Sequence, residues 1–78
     1  MTSDRTFDGE ALRRLRVGRH LSAEDLARRV GASRQAVTNW EEGRHEPRFD
    51  HVKALAKEFG LSVEYFLKAG ADAGRGAE

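Results

Sequence analysis

GASRQAVTNWEEGRHEPR, residues 31–48, places two demands on one short segment. Arg34, Gln35, Thr38 and Asn39 alternate with Ala36, Val37 and Trp40. At about 100° per residue, the helical period, Ala36, Val37 and Trp40 fall within an arc of roughly 100°. Arg34, Thr38, Gln35 and Asn39 fill an arc of roughly 140° opposite it. The spacing predicts an amphipathic helix over 34–42 whose outer face is unusual. Long or forked hydrogen-bonding side chains stand where Lys and Glu would make an ordinary solvated surface.

Outward from this helix, the punctuation is legible. Ser33 is placed as its N-cap, and Gly31 suits the left-handed conformation that ends a preceding helix. That preceding helix, 23–30, starts in LSAEDL, with Ser22 as cap and Leu21 and Leu26 as the hydrophobic staple. Only a short turn separates the two helices, so they must cross steeply, as in a helix-turn-helix. FDGEAL repeats the device for a first helix over 9–19, with Asp8 as cap and Phe7 and Leu12 as staple. Beyond Pro47, a helix over 49–59 aligns Val52, Leu55, Ala56 and Phe59 on one face. LSVEYF offers Ser62 as the cap of a fifth helix over 63–68, with Leu61 and Phe66 as staple. No strand signal is sustained. The expectation is an all-α, compact five-helix domain over 7–69, with residues 1–6 and 70–78 disordered for want of anything to pack.

The chain has 78 residues, no cysteine and a net charge of +1. A domain this small has little stability to spare, and no disulfide or thiolate–metal site supplements it. No apolar run reaches the length of a membrane span or a signal-peptide core. A reducing cytoplasm suits these features. From Arg13 to Arg48 there are nine Lys or Arg against five Asp or Glu, a balance of +4. From Asp50 to Glu64 the balance is −1. The basic excess is a modest hint of an anionic partner, and charge alone favours a solvated charged surface. There is neither a nucleophile–base pair nor a phosphate-binding loop, which argues against an enzyme. His20, His45 and His51 lie on separate elements and give no metal-ligand spacing, so no metal or cofactor is expected.

The first helix carries an anomaly. Arg16 falls on the stripe of Leu12 and Leu15, where an apolar residue belongs. Either its stem lies along the rim and its head reaches water, or it pairs with a carboxylate. Glu41, at the edge of the Ala36–Val37–Trp40 face, is placed to accept two of its hydrogen bonds.

Residues 12–67, LRRLRVGRHLSAEDLARRVGASRQAVTNWEEGRHEPRFDHVKALAKEFGLSVEYFL, resemble the lambda-repressor-like, Cro-type (XRE) helix-turn-helix family. LSAEDLA, VGASRQAV, W-E-x-G and LAKEFGLSVEYFL carry the resemblance together. It implies that Arg16 and Glu41 form the structural ion pair that recurs between the first and third helices. It also implies that the third helix enters the DNA major groove, with Arg34, Gln35, Thr38 and Asn39 at base-contacting positions. Ser22 and the amides at the start of the second helix, that of Ala23 among them, present an anion site at a helix N-terminus. Arg44, His45 and Arg48 beyond the third helix match the loop that grips the next phosphates. Arg48 either grips a phosphate or leans toward the minor groove. Two departures stand out. Ala23 replaces the Gln that usually contacts DNA, and His20 replaces a Gly in a position that favours the left-handed conformation.

The resulting expectation is a small transcriptional regulator, a repressor or control protein, binding a palindromic or pseudo-palindromic operator in double-stranded DNA. Such a protein acts in a bacterial, phage or plasmid setting at the nucleoid, through occupancy of DNA and contact with RNA polymerase. A homodimer through the last helix is expected, because Tyr65 and Leu67 exceed what a monomer needs to bury, although both can also close the small core. The alternative is a protein-interaction module, an antitoxin or adaptor, presenting Tyr65, Phe66 and Leu67 to another protein.

Overall fold

The computed structural model describes residues 5–69. A short strand, β1 (Arg5–Phe7), leads into α1 (Gly9–Gly18), α2 (Ala23–Val30), α3 (Arg34–Glu42) and α4 (Phe49–Phe59). A single 3-10 turn, Val63–Phe66, then delivers the chain into a second strand, β2 (Leu67–Ala69).

Three of the helix starts are fixed by side-chain caps. Asp8 accepts a hydrogen bond from the Ala11 amide at 3.1 Å, Ser22 from Asp25 at 2.9 Å and Ser33 from Ala36 at 3.0 Å. Each satisfies an amide that the helix itself leaves without a partner. Gly31 ends α2 with φ of 74°, so α3 starts within three residues. At the end of α1 the same conformation falls to His20, with φ of 58°. A side chain is strained there, and the turn holds because the Leu21 amide donates to the Arg16 carbonyl at 3.1 Å.

The inward faces meet in one core, with Leu12, Leu26, Val37, Leu55 and Phe66 fully buried and Trp40 nearly so. The staple residues Leu21 and Leu61 pack against it. Phe66 stacks on Phe7, with ring centroids 5.7 Å apart and planes 9° from parallel.

The fold keeps the helical body expected of it and departs from the five-helix count at both ends. It has four α-helices. Where a fifth was expected over 63–68 there is one 3-10 turn, and Ser62 makes no side-chain cap bond. Six residues cannot repay the cost of nucleating an α-helix. The Asp8 amide instead donates to the Phe66 carbonyl at 2.6 Å. From there β1 and β2 pair antiparallel, with Phe7 opposite Leu67, Thr6 opposite Lys68 and Arg5 opposite Ala69. Arg5 and Thr6 therefore belong to the folded body. Three residues per strand are too few for an alternating pattern to register in the sequence. α1 also stops at Gly18 rather than at residue 19. The expectations for residues 1–4 and 70–78 lie outside the described residues.

Gly9 was not singled out by its sequence context. A Cβ there would stand 2.8 Å from the Glu41 carbonyl oxygen and closer still to that of Trp40. The start of α1 therefore sits against the backbone at the end of α3, an approach only glycine allows.

Candidate nucleic-acid interface

The inner side of α3 is held by the Arg16 guanidinium. Nε donates to Glu41 Oε2 at 2.7 Å and Nη2 to Oε1 at 3.0 Å, a two-bond fork. Nη1 donates to the Leu21 carbonyl at 2.9 Å. The two side chains are only 16% and 7% exposed. Hydrogen bonding to Glu41 raises the Arg16 pKa, and the attraction of the carboxylate adds to it against the opposing effect of burial. One planar cation thus ties α1, the end of α3 and the turn before α2 together.

Trp40, one turn from Ala36 on the same side, is buried. Its ring lies 5.1 Å from that of His51 on α4, and His51 Nε2 is 3.5 Å from the Gly31 carbonyl. The α2–α3 turn is therefore braced from α4 as well.

The outer side is open. Arg34 and Gln35 are exposed, while Thr38 and Asn39 are half-buried. Arg34 makes no ion pair or side-chain hydrogen bond among the described residues. Gln35 Nε2 donates to Asn39 Oδ1 at 3.2 Å, so these two amides are linked before any ligand arrives. Thr38 borders a small cleft with Arg13, Arg16, Glu41 and Glu42.

The flanking cations and caps have separate surroundings. Ser22 is exposed, and its oxygen is engaged by the Asp25 amide, which leaves its hydroxyl proton free to donate. Ala23 packs its methyl toward the core and offers only a backbone amide. Glu24 and Asp25 bring two carboxylates to that helix start, both paired with Arg28. Arg44 and His45 are exposed, and their amides both donate to the Asn39 carbonyl, at 2.9 and 3.4 Å. Arg48 is exposed at the N-cap of α4 and makes no side-chain cap bond. At the far end, Tyr65 is half-exposed, edge-on to Phe66 at 5.5 Å. Leu67 is half-buried in the ribbon beside Phe7.

Sequence reasoning passed over Glu42. By helical spacing it falls midway across the arc of Arg34, Thr38, Gln35 and Asn39, so the signal was available. Its Oε1 is 3.2 Å from Arg44 Nε.

No helix of the described chain is long and apolar enough to cross a membrane. The helix-turn-helix family profile matches residues 12–66. The chain is 34% identical over 58 residues to the HTH-type transcriptional activator BcrR of Enterococcus faecalis. That match takes in 74% of this chain and 28% of BcrR, so the chain spans just over a quarter of that relative. It is 38% identical over 45 residues to an uncharacterized HTH-type transcriptional regulator of Methanocaldococcus jannaschii, over 58% of this chain and 68% of the relative. Among solved structures, the P22 c2 repressor in complex with a synthetic operator is similar, with a TM-score of 0.71 and 32% identity. The overlap takes in 73% of this chain and 86% of the repressor chain. A helix held rigidly from within and polar without, on a four-helix body of this kind, accords with these matches: the chain belongs to the helix-turn-helix family of transcriptional regulators, in its lambda-repressor-like branch.

Proposed function

We propose that the chain binds double-stranded DNA sequence-specifically, with α2 and α3 as the helix-turn-helix and α3 lying in the major groove. The carrying observation is the outer face of α3, where exposed Arg34 and Gln35 stand on a helix immobilised from its inner side. A major groove about 12 Å wide admits one helix. Arg34 is suited to the two acceptors of guanine, and Gln35 and Asn39 to the donor and acceptor of adenine. Thr38 is suited to a base edge or a thymine methyl.

Backbone contacts come from the Ser22 hydroxyl, the Ala23 amide and the side chains of Arg44, His45 and Arg48. Glu24 and Asp25 oppose a phosphate at the start of α2, and Arg28 offsets them. One α3 spans only a few base pairs, so two copies on a two-fold operator supply the remaining affinity. Tyr65 is the better candidate for the contact between copies, because it is 49% exposed whereas Leu67 is already largely buried. Regulation then follows from occupancy of DNA, and from contact with RNA polymerase, in the cytoplasm at the nucleoid.

Selection of bound duplexes from a random pool tests this reading. The enriched sequences should contain two half-sites about one helical turn apart, and binding should weaken steeply with salt. A pool that stays random, with no salt-dependent binding, removes the proposal. Sedimentation of the protein with the selected duplex measures the number of copies bound.

A further inference from the structure

Glu42 puts a negative charge on the face that would meet a polyanion. It is the last residue of α3, three positions past Asn39, four past Thr38 and seven past Gln35, and so shares their side of the helix. Glu41 beside it is turned inward and engaged by Arg16. Glu42 instead reaches across the Gly43 turn to Arg44, with side-chain exposures of 48% for Glu42 and 67% for Arg44. The Arg44 backbone is pinned beside the helix end by its hydrogen bond to the Asn39 carbonyl, which keeps its side chain within the carboxylate's reach.

We infer that Glu42 competes with DNA phosphate for Arg44, and so holds the affinity for duplex DNA of any sequence below what the cations alone would give. This rests on the DNA-binding reading above and names a control on it. The ion pair adds little to folding stability, because both partners are solvated. Its effect on binding has a different origin. Nonspecific attraction to a duplex is almost wholly electrostatic, one phosphate charge for about every 1.7 Å of axis. Displacing the carboxylate costs at most what the solvated pair is worth, up to about 1 kcal/mol before salt screening, or up to about fivefold in the equilibrium constant.

The test is a titration of two labelled duplexes, one of random sequence and one recovered by selection, over a series of salt concentrations. The proteins are the parent, Glu42→Gln, Arg44→Ala and the double variant. Glu42→Gln should bind both duplexes more tightly, by up to about fivefold at low salt, and steepen the log–log salt dependence by up to about 0.9. In the Arg44→Ala background the same substitution should give a clearly smaller gain. Thermal melts within a few degrees of the parent separate binding from folding.

Weaker binding of the selected duplex alone, with lost preference for one cytosine, would make Glu42 a base reader and overturn the inference. An equal gain in both backgrounds would make it a general charge effect, independent of Arg44, and overturn it too, as would no change at all. A parent that binds neither duplex removes the DNA-binding proposal, and this inference with it.

Discussion

The two sides of α3 are built on opposite rules. Toward α1, each polar group is matched: Arg16 places five-atom planarity against one carboxylate and one carbonyl, and no buried side-chain nitrogen or oxygen in the described body is left unpaired. Toward solvent, Arg34 is unmatched among the described residues, Gln35 has one weak partner, and Arg44 is held by a solvated ion pair. The inner side therefore determines where the helix is, and the outer side remains free to exchange partners. Substitutions should separate accordingly, into those that unfold the protein and those that leave it folded but altered in binding.

The largest effect is expected inside. Arg16→Ala should lower unfolding stability by about 3 kcal/mol, because Glu41 is then buried without its cation and the Leu21 carbonyl loses a donor. Urea denaturation followed by Trp40, the sole tryptophan, measures this directly. A midpoint equal to the parent's would show that the inner side carries no such lock. Gly9→Ala should cost about 2 kcal/mol, since the added methyl meets two backbone carbonyls that cannot swing aside as a side chain would. If Gly9→Ala is instead stabilising, as alanine is in an open helix, the close approach of α1 to α3 is wrong.

Outside, the readout changes. Gln35→Ala should shift stability by less than about 0.5 kcal/mol, losing only an exposed i,i+4 hydrogen bond. Its affinity for the selected duplex should fall by about 1–3 kcal/mol, with relaxed preference at one base position. Uniform weakening on every sequence would make Gln35 a positioning residue and erase the division between the two sides at that point. The smallest expected change lies at the hinge of α1. His20→Gly should raise stability by roughly 0.5–1 kcal/mol by relieving a left-handed side chain, read as a small rise in melting temperature.

These contrasts also explain which parts were legible in the sequence. Helix starts are local: Asp8, Ser22 and Ser33 each act on an amide three residues ahead, so a short window contains cause and effect. The placement of Arg16 on an apolar stripe marked it as needing a partner, and the choice between Glu41 and water required a family resemblance. Gly9 was not legible, because the atoms that forbid a side chain there belong to Trp40 and Glu41, some thirty residues away. The ribbon was hidden for the same reason. Nothing within 61–69 indicates that its carbonyls will be met by residues 5–8. Glu42 differs from these cases. Its place on the outer arc could be computed from spacing alone, while its engagement with Arg44 depends on the turn at Gly43.

That ribbon has a kinetic consequence. It joins the two ends of the described chain, with Arg5 opposite Ala69, and so closes nearly the longest loop the domain contains. The α2–α3 pair, by contrast, needs only its own turn. Closing a long loop is entropically dear until the intervening chain has collapsed, after which the ends are already close. The helices should therefore assemble first and the ribbon zip last. In the native state it should be the first element to open, and its amides should exchange hydrogen well before those of α3.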